Sequence, residues 1–321
     1  MKINLEELIH QRDALDAIMK HFPKRDYHTA VDSHGVVAND AHANPILNDA
    51  YNEEKFIDVK METGTGKTYV YTRMMYELNE EMGLTKFIVI VPSLAIKAGS
   101  KNFMRSDYAK QHFTQFFPNK RLQVYEIKSG DFAKKNGRYQ LSNDLIQFTS
   151  AMVTDKNTIH VLLISDKGYL DKATSSLFKS HYDQSLFNSA RTPAEAILMT
   201  RPIVIIDEPH RFKRDGKSYE NIINQLDPQM IVRFGATFPL IEKGKCKGEV
   251  DYYSKKNPVY DLNAVDSFNN GLVKGVEVIC PSLKNADSPT YKVKSVANKT
   301  LTLTKDGKDF ELVVGDNLSI V

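Results

Sequence analysis

The chain has 321 residues, enough for one large or two modest domains, each with a core of its own. Hydrophobic residues make up 41% and charged residues 26%, which excludes a disordered polyelectrolyte, and a net charge of +3 confines any nucleic-acid surface to a local patch. The cysteines Cys246 and Cys280 show neither disulfide nor zinc spacing, the amino-terminal segment is charged throughout, and no run of about 18 apolar residues occurs, so a cytoplasmic protein without membrane spans is expected.

In chain order, Leu5, Leu8, Ile9, Leu15, Ile18 and Met19 recur at helical spacing and predict an amphipathic helix. Residues 23–49 read as an irregular connection; its His28, His34 and His42 fit no zinc pattern. Phe56 to Lys60 predicts a short strand, followed by METGTGKT and a helix over 68–81 with Val70, Met74, Met75 and Leu78 on one face. Further buried strands are predicted at KFIVIVPS, QVYEI, IHVLLIS, RPIVIID and MIVRFGAT, with helices at LSNDLIQFTSAM, after Thr192-Pro193 and at YENIINQL. Alternating α and β segments of this kind predict a mainly parallel sheet flanked by helices. Beyond about residue 278 the pattern changes to period two, with Asp306-Gly307 between two strand-like runs, and a small antiparallel β tail is expected over 279–321.

The loop METGTGKT carries the first chemistry. Gly64 and Gly66 allow successive backbone N–H groups to converge on phosphate oxygens, flanked by Thr63 and Thr65. Lys67, expected on an exposed loop, supplies charge for the β- and γ-phosphates, and the Thr68 hydroxyl suits magnesium. The following helix points its positive end at the same anion. The usual entry glycine is Met61, which leaves the cradle itself intact. A nucleotide with Mg2+ is the expected ligand. At the end of IVIIDEPH, Asp207 is placed to hold magnesium and Glu208 to polarise an attacking water, a pair that favours hydrolysis over transfer to a hydroxyl. Gly235-Ala236-Thr237 begins a tight loop after another apolar strand.

The ordered set METGTGKT, VIVPSLAIKAGS, IVIIDEPH and FGATFP resembles the motor of superfamily 2 helicases. With DEPH and the later YDLNAVDSFNNGLVKGVEV, it resembles in particular the Res subunit of type III restriction-modification enzymes, over residues 1–278. The resemblance implies that the nucleotide is ATP, and that the chain forms a RecA-like ATP-binding lobe that acts on duplex DNA in partnership with a Mod methyltransferase subunit. It places Gln11 where such motors read adenine, although a polar residue on an amphipathic helix is an equal reading. It places Pro92 and Ser93 on the DNA backbone, with Ser93 also suited to cap a helix, and His210 and Thr237 at the link between nucleotide state and DNA grip. Lys97 and Lys101 are either phosphate contacts or solvated, and ISDKGYL is a candidate DNA loop.

No arginine follows Arg233, and no PD-(D/E)xK nuclease pattern is present. The sequence therefore reads as the amino-terminal portion of a Res subunit, without the arginine finger that a second lobe supplies, and is expected to bind ATP with little turnover alone. The alternatives are another superfamily 2 DNA or RNA helicase, or a non-catalytic nucleotide-dependent DNA-binding module.

Overall fold

The computed structural model describes residues 5–22, 44, 55–128, 131, 134–135, 138–139, 142–150, 156–166, 169–171, 175–180, 190–212, 216–238, 258–273, 292–297 and 300–313. His28, His34, His42, Cys246 and Cys280 lie outside the described residues. The chain divides into two units, Met1–Lys274 and Gly275–Val321.

Among the described residues, the first unit is built on a sheet of seven strands, all paired in parallel. They are β1 (Phe56–Met61), β2 (Lys86–Val91), β3 (Arg121–Glu126), β6 (Thr158–Ser165), β7 (Ile203–Asp207), β8 (Met230–Gly235) and β9 (Tyr260–Leu262). Their order in the sheet is β3-β6-β2-β7-β8-β1-β9. Two short strands, β4 (Lys134–Lys135) and β5 (Arg138–Tyr139), pair separately. Alternation along each central strand feeds two cores. Phe87, Val89 and Val91 of β2 enter one and Ile88 and Ile90 the other, so both faces of the strand are dry and its sequence is apolar without a break.

Helices α1 (Ile9–Met19), α2 (Lys67–Met82), α3 (Leu94–Arg105) and α4 (Asp107–Phe116) contribute to the first core, and α5 (Asn143–Ser150), α6 (Pro193–Met199) and α7 (Lys217–Gln225) to the second. Val70, Met74, Met75 and Leu78 of α2 are all fully buried, as their spacing requires. The first helix begins at Ile9 rather than Leu5, because the Leu8 N–H is taken by Gln11 Oε1 at 3.1 Å and the chain before it is not helical. At α6, Thr192 caps the Glu195 N–H at 3.1 Å, while Glu195 Oε2 accepts from Arg191 N instead of closing on the cap residue. A short helix α8 (Ala264–Asn269) follows β9. The three-residue β9 was invisible to periodicity, which needs a longer run.

Two ionic side chains sit within the second face of the sheet. Asp58 and Arg233 are register partners on β1 and β8, both with fully buried side chains, and they form a bidentate pair at 2.5 and 2.8 Å. The guanidinium carbon lies 4.8 Å from the Phe56 ring centroid. Removing one member would leave an uncompensated buried charge, so the two stand or fall together. At the opposite edge from the candidate site, Asn44 donates to Lys86 O and Arg201 O and accepts from Thr85 N and Lys86 N, tying the entrances of β2 and β7.

The second unit contains an antiparallel sheet of β10 (Lys292–Ala297), β11 (Thr300–Lys305) and β12 (Lys308–Val313). Its β11–β12 turn is the expected Asp306-Gly307 pair, both left-handed at φ 50° and 76°, which matches the twist of the hairpin.

Candidate nucleotide-binding site

The strands β2, β7, β8 and β1 are consecutive in the sheet and parallel, so their carboxyl ends share one edge. The residues after those ends are Pro92 and Ser93, Asp207 to His210, Gly235 to Thr237, and the loop 62–66. Parallel pairing alone thus gathers four segments that are far apart in sequence. Open α/β sheets take their ligands at this edge.

The loop turns tightly. Thr65 N and Thr65 Oγ1 both donate to Glu62 O, at 3.3 and 2.7 Å, and Thr63 N donates to Glu62 Oε1 at 2.8 Å. Gly64 and Gly66 are left-handed, at φ 88° and 94°, where a side chain would be strained. A Cβ at Gly64 would meet nothing, which leaves that side of the loop open to a ligand. A Cβ at Gly66 would collide with the Gln11 amide. The first turn of α2 leaves its N–H groups facing the loop, and Thr68 is half-buried there.

Lys67 is the first residue of α2 and is buried, with Nζ 2.8 Å from Glu208 Oε1 and 3.5 Å from Met61 O. The expected exposed position is therefore corrected: a partner 141 positions further along the chain folds over the ammonium. Glu208 itself is left-handed at φ 57°, unusual for a residue with a side chain, and its N–H donates to Phe234 O at 2.8 Å. His210 Nδ1 lies 3.3 Å from the other Glu208 oxygen without hydrogen-bond alignment.

Asp207 closes β7. Burial pushes its carboxyl up to about 6 from 3.8, Lys67 opposes that rise and Glu208 adds to it. Its Oδ1 is buried and has no hydrogen-bond partner among the described residues. Such an oxygen is an orphan that a cation or a metal-bound water would satisfy. Among the described residues no three or more His, Cys, Asp or Glu side chains are grouped to hold a metal. Magnesium binds one or two protein ligands and completes its shell with phosphate and water. Thr68, Asp207 and the open loop thus fit ATP·Mg2+.

The remaining expectations divide. Ser93 caps α3, its hydroxyl accepting from Ile96 N at 3.3 Å, and Pro92 is half-buried beside it. Thr237 is exposed and Ala236 half-buried. Lys97 and Lys101 have protein partners: Lys97 is buried and donates to Ile127 O, Lys101 bonds Glu126 at 2.9 Å, and Glu126 lies 3.5 Å from Lys97. In ISDKGYL, Tyr169 and Leu170 are buried, while Lys167 and Gly168 lie outside the described residues.

Three relationships escaped the sequence. His10 Nε2 lies 2.8 Å from Thr65 O, alongside Gln11 Nε2 at 3.3 Å. A Cβ at Gly235 would lie 2.6 Å from Pro209 Cδ, so DEPH and the Gly-Ala-Thr loop touch directly. The Tyr71 hydroxyl, fully buried, donates to Ser100 Oγ at 2.9 Å and lies 3.4 Å from Thr68 Oγ1. Only a charged residue in an otherwise apolar strand, as at Asp58 and Arg233, leaves a legible signal of such partners.

A parallel sheet whose carboxyl edge carries a glycine-rich loop running into a helix, with an acidic strand end beside it, is a RecA-like P-loop domain. The chain belongs to the family described as Type III restriction enzyme, res subunit, whose family model matches residues 4–240. It is 49% identical over 325 residues to the Type III restriction-modification enzyme StyLTI Res subunit of Salmonella typhimurium, covering 100% of this chain and 32% of that protein. It is 35% identical over 271 residues to the EcoP15I Res subunit of Escherichia coli, covering 83% of this chain and 26% of the relative. Among solved structures, an ATP-dependent Type ISP restriction-modification enzyme, LlaBIII bound to DNA, aligns with 84% of this chain and 16% of its own at a TM-score of 0.46 and 10% identity. The chain thus spans about a third or less of the relatives' length.

Proposed function

We propose that this chain binds ATP with Mg2+ as the first motor lobe of a type III restriction subunit, and that the lobe serves ATP-driven action on duplex DNA. The observation that carries the reading is the meeting of Lys67, Glu208 and the orphaned Asp207 oxygen at the mouth of the glycine loop. Nucleotide binding requires Lys67 to leave Glu208 for the β- and γ-phosphates. That exchange frees the Glu208 carboxylate, which is then placed to orient a water toward the γ-phosphate. Thr68 and Asp207 hold the metal, which when bound neutralises charge on the phosphate oxygens.

Gly64, Gly66 and the first turn of α2 supply backbone N–H groups to the phosphates, with Thr63 and Thr65 shaping the turn. Gln11 is assigned to the base. Pro92 and Ser93 face DNA phosphate, and His210, Gly235, Ala236 and Thr237 relay the state of the nucleotide; the contact of Pro209 with Gly235 supports that coupling. A Mod methyltransferase subunit is the proposed partner, consistent with the family. Among the described residues no helix is long and apolar enough to cross a membrane, and a cytoplasmic location is proposed.

Calorimetry with ATP, with and without Mg2+, tests the site; uptake that requires Mg2+ and fails in Asp207→Asn is the expected result. Steady-state ATP hydrolysis with and without duplex DNA tests the motor role, and Glu208→Gln should abolish whatever turnover DNA elicits. A protein that takes up no ATP under either condition overturns the assignment.

A further inference from the structure

Two adjacent side chains of α1 converge on one carbonyl of the phosphate loop. His10 is buried and its Nε2 lies 2.8 Å from Thr65 O; Gln11 Nε2 lies 3.3 Å from the same oxygen. A carbonyl only accepts, so His10 carries its proton on Nε2 and donates it. The Thr65 oxygen has two lone pairs, and the two donors fill both.

The geometry of the peptide gives this contact a consequence. The bond between Thr65 and Gly66 is trans, so its C=O and N–H point in opposite directions. With the carbonyl drawn toward α1, the Gly66 N–H is turned away from α1. Gly66 carries no side chain that could hold the peptide by packing, and the left-handed φ it adopts is one of several it could take. Thr65 is held from its own side by Glu62 O, and Gly66 O accepts from Val70 N, so what α1 adds is the hold on the Thr65 carbonyl itself.

We infer that His10 is a positioning residue of the phosphate loop: its Nε2–H holds the Thr65–Gly66 peptide with the Gly66 N–H aimed at the phosphates, and keeps it there when Gln11 gives up Thr65. The inference rests on the nucleotide reading above and divides the labour between neighbours. Gln11 makes the longer contact, and its other end is occupied by the Leu8 N–H. A move of its amide to the base would expose the Thr65 oxygen if His10 were absent. With His10 present the carbonyl stays bonded throughout, so the loop keeps its shorter contact while Gln11 serves the base.

The test uses the full chain and three probes: ATP, GTP and inorganic tripolyphosphate, titrated by calorimetry, with thermal melts alongside. His10→Phe keeps the ring's bulk and loses the donor. It should weaken ATP, GTP and tripolyphosphate by one common factor of about five to ten, the weight of a single hydrogen bond to a buried carbonyl, and leave the ATP-to-GTP ratio unchanged. His10→Gln places an amide N–H close to the Nε2 position and should restore tripolyphosphate binding. Gln11→Ala should lower the ATP-to-GTP ratio and weaken tripolyphosphate by less than His10→Phe does, since it removes the longer of the two contacts to Thr65 O. Wild-type tripolyphosphate affinity in folded His10→Phe overturns the inference, as does a loss of tripolyphosphate binding in Gln11→Ala equal to that in His10→Phe. If His10→Phe does not fold, the Gln11→Ala and His10→Gln arms decide the matter on the same readouts. A wild-type chain that binds neither ATP nor tripolyphosphate brings down the nucleotide reading itself, and the inference with it.

Discussion

The ammonium of Lys67 lies 2.8 Å from Oε1 of Glu208, so the phosphate loop and the acidic end of β7 are joined by a shielded ion pair in the middle of the site. Neither group is poised for chemistry in this arrangement. Each has to be pulled from the other by something more strongly charged, and a triphosphate meets that requirement.

Lys67→Ala should therefore lower ATP affinity by roughly 1.5–3 kcal/mol, the scale of a charge-assisted contact. It should also raise the Asp207 carboxyl further, because Lys67 is what opposes the effect of burial there. Calorimetry at neutral pH and a thermal melt check the first point, and the pH dependence of the melt checks the second. An unchanged ATP affinity in a folded variant would remove the loop from the site.

Asp207 predicts how stability follows pH. A carboxyl held near 6 in the folded chain and near 3.8 in the unfolded one keeps its proton only when folded between those values. Stability attributable to Asp207 thus falls as pH rises from about 4 to 6, by about 3 kcal/mol at most, and the penalty is complete above pH 6. Asp207→Asn should raise the melting temperature at pH 8 and change it little at pH 4. Mg2+-dependent nucleotide binding should weaken below pH 6, where the metal competes with the proton. A lower melting temperature for Asp207→Asn at pH 8 would contradict this account.

Gly235→Ala should destabilise by about 1–3 kcal/mol, since the new methyl falls 2.6 Å from Pro209 Cδ and the ring cannot fold away. Pro209→Ala removes the obstructing Cγ and Cδ. The double variant should recover part of the loss, and a double-mutant cycle from denaturant melts measures the coupling. Strict additivity would mean that the two loops do not meet in solution.

Gly307→Val places a β-branched residue at φ 76° and should loosen the β11–β12 hairpin by about 1–3 kcal/mol. ATP affinity should not change, because the loop and acids belong to the other unit. Loss of nucleotide binding in this variant would show that the second unit contributes to the site.

The parallel core was legible because its strands are dry on both faces: KFIVIV and IVIID have no polar residue between their ends to mislead the reading. The loop was legible because its glycines, lysine and threonine are consecutive. What could not be read was any relationship fixed by folding alone. The burial of Lys67 depends on Glu208, the role of His10 on Thr65, and the need for glycine at 235 on Pro209. The partners of Lys97 and Lys101 were illegible for a related reason: a basic helix face announces charge, but that it meets a half-buried Glu126 is decided by an adjacent strand.

The pair Asp58–Arg233 bears on how the sheet is assembled. β1 and β8 are separated by most of the domain's sequence, yet must align before the loop and the Gly-Ala-Thr segment can face one another. Apolar strands tolerate sliding, since one valine resembles the next. Here a slip of one position would put the two charges on opposite faces. A slip of two would set Arg233 against Phe56, or against Lys60 with its like charge. Every wrong alignment thus strands a charge in oil, and the two residues act as a proofreader that lets only one pairing survive collapse.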